Sequence, residues 1–194
     1  MLIAMSGLQA TGKSRLAAQL ARRIGAVLVS VDPIESAMTR AGLWHNDATG
    51  LAAYYVAETV ARQNLEAGHE VIVDAANYVS QGRGMWIRLA EEMSTDVVFL
   101  VTVCSDGAEH RRRVEQRRRE LPGIPEVSWD DVMKRNVETE MWGSEPRLAV
   151  DTAREVDLDQ LISLVRCFGK AEEPMATRTR RSAVPPARRA SLVP

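Results

Sequence analysis

The feature that most constrains this chain lies near its start. Residues Gly7-Leu8-Gln9-Ala10-Thr11-Gly12-Lys13-Ser14 read G-x-x-x-x-G-K-S, a phosphate-binding loop. Ahead of it, Met1-Leu2-Ile3-Ala4-Met5 is an apolar run of strand length. Behind it, Leu16, Leu20 and Ile24 recur at helical spacing. Strand, glycine loop and helix thus occur in the order such a loop requires. Gly7 and Gly12 admit backbone angles that a side chain forbids. The loop amides can then wrap a phosphate, assisted by the partial positive charge of the helix N-terminus. Lys13 is placed to reach the β- and γ-phosphates of a nucleotide, and the Ser14 hydroxyl to ligate Mg²⁺.

Downstream, apolar runs alternate with helical patterns. Strands are expected over Ala26–Val31, Val71–Asp74, Asp96–Val103 and Leu148–Asp151. Helices are expected over Ile34–Ala41, Ala48–Ala67 (capped by Asp47), from Ser80 onward, Ala108–Glu120, Trp129–Met141 and Asp157–Phe168. In the second of these, Tyr55, Val56, Thr59, Val60 and Asn64 mark the expected apolar face. Trp86, Trp129 and Trp142 are read as packing residues. This alternation predicts an α/β fold: an open parallel sheet with helices on both faces, its ligand beyond the carboxyl ends of the strands. The loop glycines, Asp32 and Asp74 converge there from three different strands.

The length of 194 residues predicts one domain, over 1–169, followed by a basic tail over 170–194. The tail holds Arg178, Arg180, Arg181, Arg188 and Arg189 against Glu172 and Glu173, without periodicity, and is read as disordered. Its roles are an electrostatic arm or a solubilising terminus. Over the whole chain 25 Lys and Arg balance 26 Asp and Glu, so the protein is no polycation. Cys104 and Cys167 lie far apart and are expected to be reduced core residues, with no zinc or disulfide framework. With no leader ahead of the first strand and no membrane-length apolar run, a cytoplasmic protein is expected.

Further positions carry chemistry. Asp32, after the second strand, can take the proton of an attacking hydroxyl as a general base, or can be the turn residue that starts a helix. Asp74 ends the third strand in Val-Ile-Val-Asp-Ala-Ala-Asn and can hold Mg²⁺ or bind substrate. Asn77 is either a substrate ligand or a turn residue. In the run Arg111 to Arg119, Arg113 and Arg117 would share a helix face and suit the charge of a phosphoryl transition state. Pro122, Gly123 and Pro125 then break the chain, so this segment could form a mobile lid; the alternative is a solvated charged face. Trp44 and His45, on the loop beyond Asp32, are candidates for lining an acceptor pocket. His110 carries no specific signal.

Gly7–Ser14, Val31-Asp32, Val71–Asn77 and Arg113-x-x-x-Arg117 together resemble the AAA-type P-loop kinases, which take in polynucleotide 5′-kinases, chloramphenicol phosphotransferase and zeta-toxin-like kinases. The resemblance spans about residues 1–165. It implies a three-layer P-loop NTPase fold with strand order 2-3-1-4-5, an arginine-bearing lid, ATP and Mg²⁺ as cofactors, and Asp32 as the base. Polynucleotide kinases carry an arginine three residues after that aspartate, where this chain has Glu35. A carboxylate there repels a phosphate and attracts an amine or a sugar hydroxyl. The expectation is therefore phosphoryl transfer from ATP to a small-molecule hydroxyl. The alternatives are a nucleic-acid 5′-hydroxyl as acceptor, or a nucleotide-binding regulator without transfer.

Overall fold

The computed structural model describes residues 1–118, 121–138 and 142–168. The tail expected over 170–194, and the expected ends of two helices at Glu120 and Met141, lie outside the described residues. Five strands form one parallel sheet: β1 (Leu2–Ser6), β2 (Val27–Ser30), β3 (Val71–Asp74), β4 (Val97–Val103) and β5 (Arg147–Asp151). Their order is β2-β3-β1-β4-β5, as the resemblance implied. Seven helices are described: α1 (Lys13–Ile24), α2 (Val31–Arg40), α3 (Asp47–Glu66), α4 (Ser80–Glu92), α5 (Gly107–Gln116), α6 (Trp129–Glu138) and α7 (Leu158–Phe168).

The central strands are apolar along their length because a parallel sheet is covered on both faces. Successive side chains point to opposite faces, which sorts them into two cores. Leu2, Ala4, Val71, Val73 and Phe99 pack with Trp86 and Leu89 of α4 and with Ala53, Ala57 and Ala61 of α3. Ile3, Met5, Ile72, Val98 and Leu100 pack with Leu16 and Leu20 of α1 and with Leu161 and Val165 of α7. The result is three layers, with β1 and its following loop at the centre of the sheet.

Several local expectations are corrected. The buried face of α3 is the alanine stripe, four residues apart, whereas Tyr55 and Val56 are exposed. Small side chains let the helix approach the sheet closely. The cap of α3 is Asn46, whose side chain accepts from the Thr49 amide at 3.0 Å, one residue before the expected Asp47. Helix α2 begins at Val31, directly after β2, so Asp32 sits in its first turn. Helix α5 ends at Gln116 rather than running to Glu120. Cys104 is half-buried and Cys167 exposed; both are free thiols, and neither is the core residue expected. No helix among the described residues is long and apolar enough to cross a membrane.

Candidate active site

The loop from Gly7 to Ser14 is held by the strands on either side. The Gly7 amide donates to Ala76 O at 3.2 Å. The hydroxyls of Thr11 and Thr102 lie 2.7 Å apart, and Thr152 Oγ1 donates to Thr11 O at 2.7 Å. Gly7 has φ +129°, and a Cβ built there would fall 2.3 Å from Thr102 O. Only glycine passes that point. Gly12, also left-handed, stands at the N-terminus of α1. Lys13 Nζ donates to Gly7 O at 2.8 Å and Leu8 O at 2.6 Å, so the ammonium lies folded along the loop.

Two acids stand beside this loop. Asp74 ends β3 and is 9% exposed. Burial pushes its carboxyl above the ordinary value; a hydrogen bond from the Ser14 side chain and the charges of Lys13 and Arg117 pull the other way, while Asp32 adds to the rise. The same interactions place Ser14, Lys13, Asp32 and Arg117 around one carboxylate. Asp32 is held by the first turn of α2, where a negative charge suits the helix dipole. A cavity of about 540 Å³ runs from the phosphate loop past Asp74 and Asp32 to Glu35 and His45. Arg112, Arg113 and Arg117 form its other wall, with Ile124, Pro125 and Val127 beyond them.

The arginine run is less bare than its sequence reads. Glu109 takes Arg112 in a two-point contact, at 2.6 Å and 2.7 Å, and Arg113 Nε at 2.8 Å. Arg112 and then Arg113 lower the Glu109 carboxyl to about 2. Arg113 also donates to Thr152 Oγ1 at 3.1 Å and Thr152 O at 2.9 Å, tying α5 to the turn after β5. Arg117 caps the C-terminus of α5 with extended backbone, so the two arginines do not share a helix face as expected, though both line the cavity. The segment that follows rests on α2. Ser36 Oγ donates to Pro122 O at 2.8 Å, and Gly123, with φ +82°, lies so close to Thr39 that a Cβ would stand 2.2 Å from its methyl.

The comparisons with known proteins bear on this geometry. The AAA domain family matches residues 2–138. The chain belongs to the AAA domain family. Solved structures share the P-loop kinase fold of this AAA domain at low identity. A candidate kinase from Chloroflexus aurantiacus is 21% identical, with a TM-score of 0.69 over 86% of this chain and 97% of its own. Kti12 of Chaetomium thermophilum, in complex with ADP-AlF3, is 19% identical, with a TM-score of 0.65 over 87% and 99%. The APS kinase CysC of Mycobacterium tuberculosis, in complex with AMPPNP and APS, is 17% identical, with a TM-score of 0.61 over 88% and 97%. No curated protein matches the chain.

In this AAA domain the expected residues part into those the fold gathers and those it does not. Gln9, Ala10, Gly12, Lys13, Ser14, Asp32, His45, Asp74, Arg113 and Arg117 line one cavity. Trp44 does not; it is 87% exposed. Asn77 is fully buried at φ +50°, where Asn is tolerated. Its Nδ2 donates to Met5 O at 2.7 Å and its Oδ1 accepts from Trp86 Nε1 at 2.9 Å, so it is a strut between β1 and α4. Two residues escaped the sequence reading. His110 is buried with Nε2 2.7 Å from Gln9 O, and a carbonyl partner puts the ring proton on that nitrogen. Tyr54 supports the Asn77 amide at 3.4 Å; burial pushes its hydroxyl up to about 12, with the charge of Asp32 adding to the rise. Neither has a motif around it.

Proposed function

We propose that the protein is an ATP-dependent phosphotransferase that moves the γ-phosphoryl group to a hydroxyl of a small molecule. The observation that supports this most is the cavity shared by the phosphate loop and Asp32. The family and the kinase neighbours agree with it.

The loop amides and Lys13 hold the β- and γ-phosphates and offset their charge. Ser14 and Asp74 supply a hydroxyl and a carboxylate side by side, hard oxygen donors that fit Mg²⁺. When bound, Mg²⁺ would draw charge from the β- and γ-oxygens. Asp32 accepts the acceptor's hydroxyl proton as its oxygen attacks phosphorus. Arg117 and, if the ties to Thr152 release, Arg113 stabilise the equatorial oxygens of the transferring group, as part of an arginine-bearing lid. The domain over 1–169, the basic tail over 170–194 and a cytoplasmic location remain part of this reading.

ATP consumption against a panel of alcohols tests it, with calorimetric titration of magnesium-ATP alongside. Lys13→Ala should abolish transfer in a folded protein. Asp32→Asn should cut transfer by about 10²- to 10⁴-fold with little change in ATP affinity. Full activity in either variant refutes the assignment. Steep loss of nucleic-acid affinity with salt and on deleting residues 170–194 would favour the polynucleotide alternative.

A further inference from the structure

We propose that His110 and Thr152 are positioning residues of the phosphate loop: each holds one loop carbonyl from outside, and so aims the amide of the same peptide unit at a phosphate. This rests on the phosphotransferase reading, because it takes the loop as the nucleotide site, and it names the side chains that set the loop's shape.

A trans peptide unit carries its C=O and its N–H on opposite sides, and the loop's peptide bonds are trans. Fixing the oxygen therefore fixes the direction of the hydrogen. Gln9 O accepts from His110 Nε2 at 2.7 Å, which turns the Ala10 N–H the other way. Thr11 O accepts from Thr152 Oγ1 at 2.7 Å, which does the same for the Gly12 N–H. Ala10 and Gly12 both line the cavity, and neither amide has an acceptor among the described residues. The Gly7 amide, by contrast, is taken by Ala76 O at 3.2 Å. Successive backbone N–H groups left open in this way make an anion-binding concavity.

Both holders are themselves held. His110 is buried on α5, its ring edge-on to Trp129 with the centroids 5.2 Å apart. Thr152 follows β5, and its own amide donates to Val103 O at 2.9 Å. Its side chain abuts Gly12, where a Cβ would lie 3.3 Å from the Thr152 methyl. Arg113 donates to Thr152 Oγ1 at 3.1 Å, which leaves the hydroxyl's one proton for a carbonyl. Thr11 O, at 2.7 Å, is nearer than Val103 O, at 3.1 Å. His110 and Arg113 stand three residues apart on one face of α5, so this helix reaches the loop both directly and through Thr152. Gly7 O and Leu8 O accept instead from Lys13 Nζ, whose ammonium must leave them to meet a phosphate. His110 and Thr152 need not move. Neither side chain lines the cavity, so each acts through the loop.

The test titrates magnesium-ADP by calorimetry into the full chain and into paired variants. His110→Phe keeps a ring against Trp129 and removes the donor, whereas His110→Gln keeps a donor. Thr152→Val removes the hydroxyl and keeps the shape, whereas Thr152→Ser keeps the hydroxyl. His110→Phe and Thr152→Val should each weaken binding about 10-fold, the worth of one hydrogen bond to a charged group. His110→Gln and Thr152→Ser should stay within about threefold of the parent. Melting temperature, read on each sample, shows folding. In amide NMR spectra of the parent, magnesium-ADP should move the Ala10 and Gly12 signals strongly and the Gly7 signal little, which decides the matter if a donor-less variant does not fold. Unchanged affinity in folded His110→Phe or Thr152→Val, equal losses in the Gln and Ser variants, or unmoved Ala10 and Gly12 signals overturn the proposal and leave the phosphotransferase reading standing. The expected losses in a protein that transfers phosphate to no alcohol support the proposal and overturn that reading. A parent that binds no magnesium-ADP overturns both.

Discussion

Replacing Gly7 by alanine would test the phosphate loop at its tightest point. The residue holds φ +129°, a region that L side chains rarely enter. The new Cβ would meet Thr102 O at 2.3 Å and Thr102 Oγ1 at 2.9 Å. Thr102 O cannot retreat freely, because β4 pairs with β1 on one side and with β5 on the other. The backbone strain costs about 1–3 kcal/mol, and forcing an extra methyl into a packed site costs about as much. A total of about 4 kcal/mol lowers the melting temperature of a domain this size by about 8–16 °C. If the loop instead shifts to relieve the overlap, stability recovers and the amides lose their common aim at a phosphate. Thermal unfolding and calorimetric titration with magnesium-ATP, run together, separate these outcomes. A variant that melts within about 2 °C of the parent and binds magnesium-ATP equally well would refute the reasoning.

Asp74→Asn should raise the stability of the nucleotide-free protein at neutral pH. Burial holds the folded carboxyl above its ordinary value, so folding is favoured at low pH and the advantage fades as pH climbs from the unfolded value through the folded one. The gap in melting temperature between variant and parent should widen over that window and then level off; a gap that narrows with rising pH would contradict it. Arg83→Met should destabilise the fold by about 1–3 kcal/mol, since it leaves Glu145 and Tyr78 O without their donor. Arg83 is fully buried, bonds Glu145 Oε1 at 3.0 Å, donates to Tyr78 O at 3.2 Å and lies 4.4 Å over the Trp142 ring. Denaturant unfolding of the single variants and of the pair with Glu145→Gln would show strong coupling; additive losses would rule it out.

The parts legible in the sequence are those where one residue type answers one demand. The glycine loop, the all-apolar β3 and β4, and the acid at the tip of β3 are of this kind. The illegible parts depend on neighbours remote in the chain. Ala53, Ala57 and Ala61 carry little hydrophobic weight, and only the closeness of the sheet makes them the buried face of α3. Asn77, three residues after Asp74, reads as a substrate ligand or a turn residue, but Met5 and Trp86 claim both ends of its amide. The arginines of α5 read as unbalanced in sequence, whereas in the fold Glu109 holds two of them. Glu35 could be flagged from its position after Asp32, whereas the seat of its oxygen between His45 and Gly50 required coordinates.

The seating of Pro122 and Gly123 against Ser36 and Thr39 has a consequence for how such a protein can diversify. The helix that brings Asp32 and Glu35 to the cavity is also the platform on which Pro122 and Gly123 lean. A substitution that tilts this platform to admit a different occupant must also displace Pro122 and Gly123. Descendants with altered taste should therefore carry paired changes in both segments, and single-site swaps of preference should be rare.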